Sequence, residues 1–252
     1  MFTVRGKTVI ITGGTGGIGL TFALALAENG ADIVSIQIPG DPAGAALKGA
    51  IEGLGRKFAT FDCNIADATS IRSAFAAIWE AGTIPDILLN CAGVSRRGPI
   101  ADFAEEDVDL IFAVNLKGAF IISQEFGKQL LKLGRPGKII HICSMAAYIA
   151  QTNVSIYSTS KAGLLQMTKA LSNEWAPNGI QCNCISPGFI KTPLTKALWS
   201  DPTFFAKSIA RTPAGRWGTP DDLKGAVLFL ASGASDFVTG ESIVVDGGIL
   251  GL

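Results

Sequence analysis

The sequence predicts a single α/β domain of the Rossmann type: a doubly wound parallel sheet of about seven strands with helices on both faces. Short apolar runs alternate with helix-like segments along the whole chain, which is the pattern of a parallel sheet covered by helices. The runs Ile87–Leu89 and Ile139–Ile142 are continuously or nearly continuously apolar, as strands buried on both faces are. The 252 residues show no repeat, low-complexity tract or linker. One domain spanning residues 1–252 is therefore expected.

The individual elements follow from local patterns. The first strand is a β-branched run, Thr8–Thr12, and the first helix spans Gly17–Asn29. Two prolines and five glycines within residues 39–55 predict that any helix there is weak or short. A long helix over Glu105–Leu133 is expected to be interrupted or bent near Gly118. The other predicted strands are Ile33–Ile38, Lys57–Asp62, Ile87–Asn90, Lys138–Ile142, Ile180–Ile185 and Ser242–Val245, and the other predicted helices are Ser70–Ala81, Ile156–Trp175 and Asp221–Ala231.

Composition argues against several classes of protein. Lysine plus arginine and aspartate plus glutamate both number 21, so the formal charge is zero and no nucleic-acid partner is expected. No apolar run approaches the roughly 18 residues of a membrane span, and no leader pattern is evident, which together predict a cytoplasmic protein. The five cysteines are scattered, which predicts reduced core residues and no metal site. The only histidine, His141, lies within a strand and is predicted to be a satisfied core residue.

The turn between the first strand and the first helix has the composition that a dinucleotide pyrophosphate requires. Gly13, Gly17 and Gly19 allow a sharp turn and a close approach of the backbone to the phosphates. The helix that follows directs its N-terminus at the same point. A glycine-rich turn alone is also typical of a plain tight turn, so this motif needs support from elsewhere in the chain.

A candidate acid–base pair lies in the helix predicted over Ile156–Trp175. Tyr157 and Lys161 are four residues apart and share one helical face. A nearby ammonium favours the phenolate form of a tyrosine and makes it a usable acid or base. Ser144 follows the fifth strand, at the carboxyl edge where such sheets bind ligands, and its hydroxyl could hold a substrate oxygen. Taken alone, the tyrosine and lysine are also a common surface pair.

In order and spacing, these motifs resemble those of the short-chain dehydrogenase/reductase family over essentially the whole chain. The family's Asn-Asn-Ala-Gly motif is similar to residues 90–93, where Cys91 replaces the second asparagine; that position mainly supports the sheet, so the departure is mild. The resemblance implies a catalytic set consisting of Asn115, Ser144, Tyr157 and Lys161. It implies a cofactor-binding set consisting of Gly13, Thr15, Gly17, Ile18, Gly19, Gln37, Asp62, Asn90, Ala92, Gly93, Tyr157, Lys161, Pro187, Gly188, Ile190 and Thr192.

The resemblance also implies a role for each catalytic residue. Tyr157 would exchange a proton with the substrate, and Ser144 would orient and polarise its carbonyl oxygen. Lys161 would hold the nicotinamide ribose, and Asn115 would hold a water that links the lysine to solvent. Thr192 and the backbone near Ile190 would grip the carboxamide. The implied activity is hydride transfer between a nicotinamide cofactor and a secondary alcohol or ketone.

The preferred cofactor is predicted from the end of the second strand. Gln37 stands where NAD-dependent members of the family often have an aspartate, and its amide can bond to a ribose hydroxyl. Arginine or lysine would be expected near a 2′-phosphate, and none occurs in residues 13–19 or 37–40. NAD is therefore the predicted cofactor, with NADP the alternative.

Residues 31–34, 96–97, 172–176 and 213–218 make the chain look most like the 2-deoxy-D-gluconate 3-dehydrogenase branch of the family. This resemblance suggests a sugar acid or a related polyol as the substrate. Arg96 and Arg97 follow the fourth strand, and a guanidinium there could pair with a carboxylate; a solvated loop charge is the alternative. Residues 193–212 are predicted to form a lid with apolar side chains, which also suits a larger apolar ketone. Ser144 and Tyr157 complete the predicted substrate contacts.

Two other classes of function remain open. A cofactor-binding regulator would keep the fold without catalysis, although the complete catalytic set favours an enzyme. A reductase of acyl-carrier-bound ketones would be expected to use NADPH and to have a basic docking surface, and neither is evident in the sequence. The resemblance further implies a homodimer or homotetramer.

Overall fold

The sheet determines where every predicted site residue lies. The computed structural model describes residues 2–251. The strands are β1 (Thr8–Thr12), β2 (Asp32–Gln37), β3 (Phe58–Asp62), β4 (Ile87–Asn90), β5 (Gly137–Ile142), β6 (Ile180–Pro187) and β7 (Ser242–Val245). They form one seven-stranded sheet in the order β3-β2-β1-β4-β5-β6-β7, and all of its strand pairs are parallel. This order confirms the predicted fold class. It also places the reversal of strand order between β1 and β4, where open α/β sheets bind ligands.

Nine α-helices connect the strands within the described residues. They are α1 (Gly17–Glu28), α2 (Gly44–Gly53), α3 (Ala68–Glu80), α4 (Glu105–Phe112), α5 (Ala119–Leu133), α6 (Ser155–Trp175), α7 (Lys196–Trp199), α8 (Pro202–Ala210) and α9 (Lys224–Ala231). A π-helical segment, Ala113–Gly118, separates α4 from α5. None of the helices in residues 2–251 has the length and hydropathy that crossing a membrane requires.

The core has one layer on each face of the sheet. On one face, Phe22 and Leu26 of α1 and Val227 of α9 are fully buried in the same cluster as Val9 and Ile11 of β1. On the other face, buried phenylalanines of α3 and α5 pack with the opposite side chains of the central strands. Strands covered on both sides are apolar at nearly every position. Their sequences therefore show runs of apolar residues and no alternation of apolar with polar residues.

The second helix is more substantial than its composition predicts. α2 contains ten residues, although glycines make it a poor helix former. Leu47 and Ile51, one turn apart, are both buried in the core cluster on the α1 side of the sheet. Their burial supplies the stabilisation that the local propensity lacks, because packing of an apolar face contributes more than propensity to helices in proteins.

The predicted interruption near Gly118 lies in the π-helical segment that ends at that glycine. A Cβ atom on Gly118 would lie on the carbonyl oxygen of Ile65 and 2.9 Å from that of Ala113. Glycine is therefore required by the close approach of the loop after β3. The π-helical segment widens the helix at Asn115, and such segments occur often at functional sites.

His141 is a buried core histidine, as predicted, and it holds two helices to the sheet. Its Nδ1 is 2.8 Å from the hydroxyl of Thr168 in α6, and its Nε2 is 3.0 Å from the hydroxyl of Ser123 in α5. The same Ser123 hydroxyl accepts a hydrogen bond from the amide of Asn90 at the end of β4. The imidazole thus connects both helices behind the candidate site to two neighbouring strands.

This histidine predicts a specific sensitivity to acid. Burial, aided by the charge of Lys161, lowers the pKa of His141 to about 3. The unfolded chain binds a proton there near pH ~6.5, whereas the folded chain does not, so the unfolded state gains protons first as the pH falls. Between pH ~6.5 and about 3, the free energy of unfolding should fall by about 1.4 kcal/mol per pH unit because of this residue.

Denaturant unfolding of the natural protein and of a His141→Gln variant at about pH 7, 6 and 5 measures the effect. The natural protein should lose stability more steeply than the variant. Equal slopes would contradict a titrating imidazole at this position.

Candidate active site

A cavity of about 550 Å³ lies at the carboxyl ends of β1, β4, β5 and β6. It follows the switch point of the sheet and extends from the end of β2 to the start of α6. The lining residues that the sequence predicted are Gly13, Thr15, Gly17, Ile18, Gly19, Gln37, Ala92, Gly93, Ser144, Tyr157, Lys161, Pro187, Gly188, Ile190 and Thr192. Residues predicted for nucleotide binding and residues predicted for catalysis therefore share one cavity.

The glycine turn is shaped by contacts that side chains would block. Gly13 and Gly17 have φ angles of 67° and 54°, in the left-handed region that favours glycine. A Cβ atom on Gly13 would lie 2.9 Å from the Cα atom of Ala92, and one on Gly19 would overlap the carbonyl oxygen of Gly13. The turn after β1 is thus packed against the turn after β4, directly before the N-terminus of α1.

Thr12 and Cys91 join these two turns. The Thr12 hydroxyl accepts hydrogen bonds from the backbone N–H groups of Cys91 and Ala92, each at 3.1 Å. Burial raises the pKa of the Cys91 thiol to about 12, so the side chain is neutral at this position. Cys91 nevertheless lines the cavity, which the sequence did not predict for it.

Tyr157, Lys161 and Ser144 converge at the other end of the cavity. Tyr157 and Lys161 both lie in the first two turns of α6, and the Lys161 Nζ atom is 5.8 Å from the centroid of the tyrosine ring. This ammonium is buried and donates a 2.7 Å hydrogen bond to the carbonyl oxygen of Ile142 at the end of β5. Ser144 follows two residues later, and its hydroxyl accepts from the N–H of Ala146 at 3.1 Å. The arrangement provides a phenol, a fixed cation and a hydroxyl at one place.

Asn115 lies behind the cavity and does not line it. Its side-chain oxygen accepts from the N–H of Val94 at 2.8 Å, and its amide donates to the carbonyl of Val94 at 2.9 Å and to the hydroxyl of Ser160 at 3.1 Å. Asn90 is also a supporting residue, because its amide donates to Ser123 beneath the end of β4. Two of the predicted site residues thus contact the backbone and side chains around the cavity, and they are not among its lining residues.

The other end of the cavity is formed by the ends of β2 and β3. Gln37 lines it, and the side-chain oxygen of Gln37 is buried without a hydrogen-bond partner among the described residues. Asp62 is exposed and does not line the cavity, whereas Cys63 and Asn64 do. Successive residues of an extended strand point to opposite sides, which is why Cys63 reaches the cavity and Asp62 does not.

The segment predicted as a lid contacts the cavity only at its start. Leu194 lines the cavity and is 55 % exposed. The two phenylalanines of α8 pack elsewhere: Phe204 lies edge-on to Phe189, and Phe205 lies against Trp217. Trp217 stacks on Phe189 at 4.9 Å. These aromatic rings anchor α8 beside the cavity, and a lid over residues 193–212 stays a prediction.

Arg96 and Arg97 have different surroundings, although neither lines the cavity. The Arg96 guanidinium pairs with Asp107 at 3.2 Å. The Arg97 guanidinium lies 5.7 Å from the centroid of the Phe204 ring, and no carboxylate in residues 2–251 is within 4.0 Å of it. Burial lowers the pKa of Arg97, since the charge is partly withdrawn from water. Of the two arginines, Arg97 is the one with a guanidinium free to bind an anion.

Some cavity residues lay outside the sequence predictions. Ile38, Asp41, Ile65, Ala66, Val94, Leu110, Val114 and Cys143 all line it, as do Pro193 and Thr195 at the start of the predicted lid. Cys143 directly follows a predicted strand, and Asp41, Ile65, Ala66 and Val94 lie within four residues of the end of one. Their position at the carboxyl edge of the sheet was the available signal. Leu110 and Val114 come from the long helical region and had no such signal. Among residues 2–251, no group of three His, Cys, Asp or Glu side chains could hold a metal ion.

Comparison with known proteins gives three kinds of match. A family model described as enoyl-(acyl carrier protein) reductase matches residues 13–250. The chain is 40 % identical over 250 residues to the 2-dehydro-3-deoxy-D-gluconate 5-dehydrogenase of Escherichia coli K12, covering 99 % of this chain and 97 % of that protein. It is 38 % identical over 251 residues to the 5-keto-D-gluconate 5-reductase of the same strain, covering 99 % and 98 %.

The fold also matches a solved structure. A gluconate 5-dehydrogenase from Burkholderia cenocepacia J2315, in complex with NADP and tartrate, superposes with a TM-score of 0.95 at 37 % identity. The match covers 100 % of this chain and 98 % of that one. The relatives found by sequence and the solved structure therefore both match this chain over nearly its whole length.

Proposed function

This chain belongs to the short-chain dehydrogenase/reductase family and is a nicotinamide-dependent oxidoreductase of CH–OH groups, and from that premise we propose that its substrate is a sugar acid of the gluconate type. The observation that carries the hydride-transfer chemistry is the position of Ser144, Tyr157 and Lys161 in the same cavity as the glycine turn. The sugar-acid substrate is further supported by relatives named for gluconate derivatives.

The cavity fits a dinucleotide. Gly13 and Gly19 form a cradle that a Cβ atom would fill, and the turn leads into the N-terminus of α1, which favours a pyrophosphate. The unpartnered oxygen of Gln37 can accept a hydrogen bond from a ribose hydroxyl. When bound, the nicotinamide supplies the site that gives or receives a hydride.

The catalytic work of the chain itself is proton handling and orientation. Tyr157 takes the proton of the substrate hydroxyl during oxidation and returns it during reduction. Lys161 donates to the carbonyl of Ile142, and this bond holds its ammonium beside the phenol ring of Tyr157. The Ser144 hydroxyl donates to the substrate oxygen and fixes it near the tyrosine. Charge develops on that oxygen during the reaction, so preoriented donors stabilise the transition state.

Arg97 is proposed to bind the substrate carboxylate. The loop after β4 carries both Gly93, which lines the cavity, and Arg97, which lies against Phe204 of α8. A partly desolvated guanidinium without a carboxylate partner favours an anionic ligand, and arginine can bind a carboxylate with two parallel hydrogen bonds. Arg96 is a poorer candidate because Asp107 already pairs with it.

NAD is the cofactor that the local chemistry favours. Lys161 is the only lysine or arginine among the described residues that line the cavity, and the carboxylate of Asp41 lies in that lining. A 2′-phosphate would therefore meet no cation at the Gln37 end, whereas a ribose hydroxyl would meet the free oxygen of Gln37. The solved relative with bound NADP favours NADP instead, so the NAD preference predicted from Gln37 rests on the cavity lining alone. The ratio of kcat/KM with the two cofactors decides between them.

The test is the formation of reduced cofactor from NAD or NADP with gluconate, its keto and deoxy derivatives, and neutral polyols of the same length. The acids should react best. Arg97→Ala should raise KM for the acids by at least about tenfold and leave KM for a neutral polyol within about twofold, as the loss of one charge-assisted contact would. Arg96→Ala is the matched control and should affect both substrates little.

Other outcomes identify other functions. Equal effects of Arg97→Ala on acids and polyols would rule out the carboxylate contact. Preferential turnover of larger apolar ketones would overturn the sugar-acid substrate, while cofactor binding without turnover would identify a binding protein.

We also propose a cytoplasmic dimer or tetramer. All five cysteines are free thiols, which suits a reducing compartment, and Phe120 and Leu131 of α5 are exposed apolar side chains.

A further inference from the structure

We propose that Ser160 is a positioning residue of the active site, which acts through Asn115 to hold the backbone at Val94 in place beside Lys161. This inference rests on the proposed hydride-transfer function, because the group that it positions is the predicted catalytic set. Ser160 is fully buried and immediately precedes Lys161 in α6. Its side chain does not line the cavity, so it touches neither substrate nor cofactor.

The proposal begins with the hydrogen bonds of Asn115. Its amide has two N–H donors, and they are used for the carbonyl of Val94 at 2.9 Å and the hydroxyl of Ser160 at 3.1 Å. Its oxygen accepts from the N–H of Val94 at 2.8 Å. Two bonds thus fix Val94, and the third fixes the amide itself to α6. Without the third bond, a buried N–H would be left unpaired and only the two bonds to Val94 would hold the amide.

The hydroxyl of Ser160 is itself fixed in orientation. It donates to the carbonyl oxygen of Tyr157 at 2.7 Å, so its lone pairs are directed toward the amide of Asn115. One continuous chain of hydrogen bonds therefore runs from the tyrosine backbone through Ser160 and Asn115 to Val94. It joins α6, the π-helical segment and the loop after β4.

The chain of hydrogen bonds matters because of Gly93, which precedes Val94. A Cβ atom on Gly93 would lie 3.3 Å from the Asn115 side-chain oxygen and 3.6 Å from the Lys161 ammonium nitrogen. The backbone at Gly93 thus passes beside both groups. If Val94 loosens, the wall of the cavity beside the ammonium loosens with it.

The main test compares Ser160→Ala with Ser158→Ala. Ser158 lies in the same helix and its buried hydroxyl has no hydrogen-bond partner among the described residues, so its removal breaks no bond. In the protein without cofactor, the Val94 amide should exchange its hydrogen about tenfold faster in Ser160→Ala, equivalent to about 1.4 kcal/mol, and at the natural rate in Ser158→Ala. This readout does not depend on activity.

Kinetics test the link to the catalytic set. Ser160→Ala should lower kcat by about tenfold and move the pH dependence of kcat, whereas Ser158→Ala should change neither. In an Asn115→Ala background, Ser160→Ala should change kcat by less than about twofold, because residues that act through one another are not additive. Ser160→Cys keeps the side-chain volume but is a weak acceptor, and it provides the same comparison if the alanine variant does not fold.

Unchanged exchange at Val94 in a folded Ser160 variant would overturn the proposal. A fall in kcat that leaves both the exchange and the pH profile unchanged would also overturn it, because it would identify a purely structural helix residue. If the natural protein oxidises no alcohol at all, the proposed function fails, and the exchange measurement still decides the role of Ser160.

Discussion

Replacing Tyr157 with phenylalanine is expected to lower kcat by about 10²- to 10⁴-fold, the range that a single general acid–base group contributes. The substitution removes only the hydroxyl. The ring remains near the Lys161 ammonium, whose hydrogen bond to the carbonyl of Ile142 does not involve the tyrosine. The measurement is steady-state oxidation of the best substrate of the natural protein.

Cofactor binding is the control for this variant. Quenching of protein fluorescence on addition of reduced cofactor should give a dissociation constant within about threefold of the natural value, because the glycine turn is unchanged. A phenylalanine variant that retains more than about a tenth of the natural kcat would exclude Tyr157 as the proton-transfer residue.

Replacing Gly19 with alanine is expected to weaken cofactor binding by at least about 100-fold, or about 2.7 kcal/mol. The new methyl group would coincide with the carbonyl oxygen of Gly13, a backbone atom that no rotamer change can move aside. The turn itself has to shift, and with it the N–H groups that we propose bind the phosphates. Titration with reduced cofactor measures the loss.

A matched substitution separates this effect from a general cost of removing glycine. Gly49 lies in α2, and a Cβ atom there meets nothing within 4 Å. Gly49→Ala should bind the cofactor normally and should be more stable by up to about 1 kcal/mol, because alanine is the better helix former. Normal binding by folded Gly19→Ala would show that the turn does not hold the phosphates.

The sequence predicted the strands well because their signal is local. β1, β4 and β7 have the predicted limits, and the other strands differ at one or both ends by one or two residues. A strand buried on both faces must be apolar throughout, and that requirement can be seen in the sequence. α2 was underestimated because its stability comes from Leu47 and Ile51 in a core that the local sequence does not describe.

The candidate site was predictable where a residue type is tied to a backbone position, as in the glycine turn and the pair formed by Tyr157 and Lys161. It was less predictable where side-chain direction decides. Asp62 is exposed, whereas Cys63 and Asn64, which follow it, line the cavity. The phenylalanines of α8 pack on Phe189 and Trp217. The role proposed for Ser160 depends on a contact across 45 residues of sequence, which no local pattern reveals.

The strand order also has a consequence for how the chain acquires its structure. β1 is formed by residues 8–12, yet its second neighbour is β4, at residues 87–90. A nascent chain leaving the ribosome therefore exposes one edge of its first strand until some eighty further residues have been synthesised. Pairings between such distant segments are slow to form. We therefore expect the strands β1, β2 and β3 to form an aggregation-prone intermediate until β4 pairs with the free edge of β1.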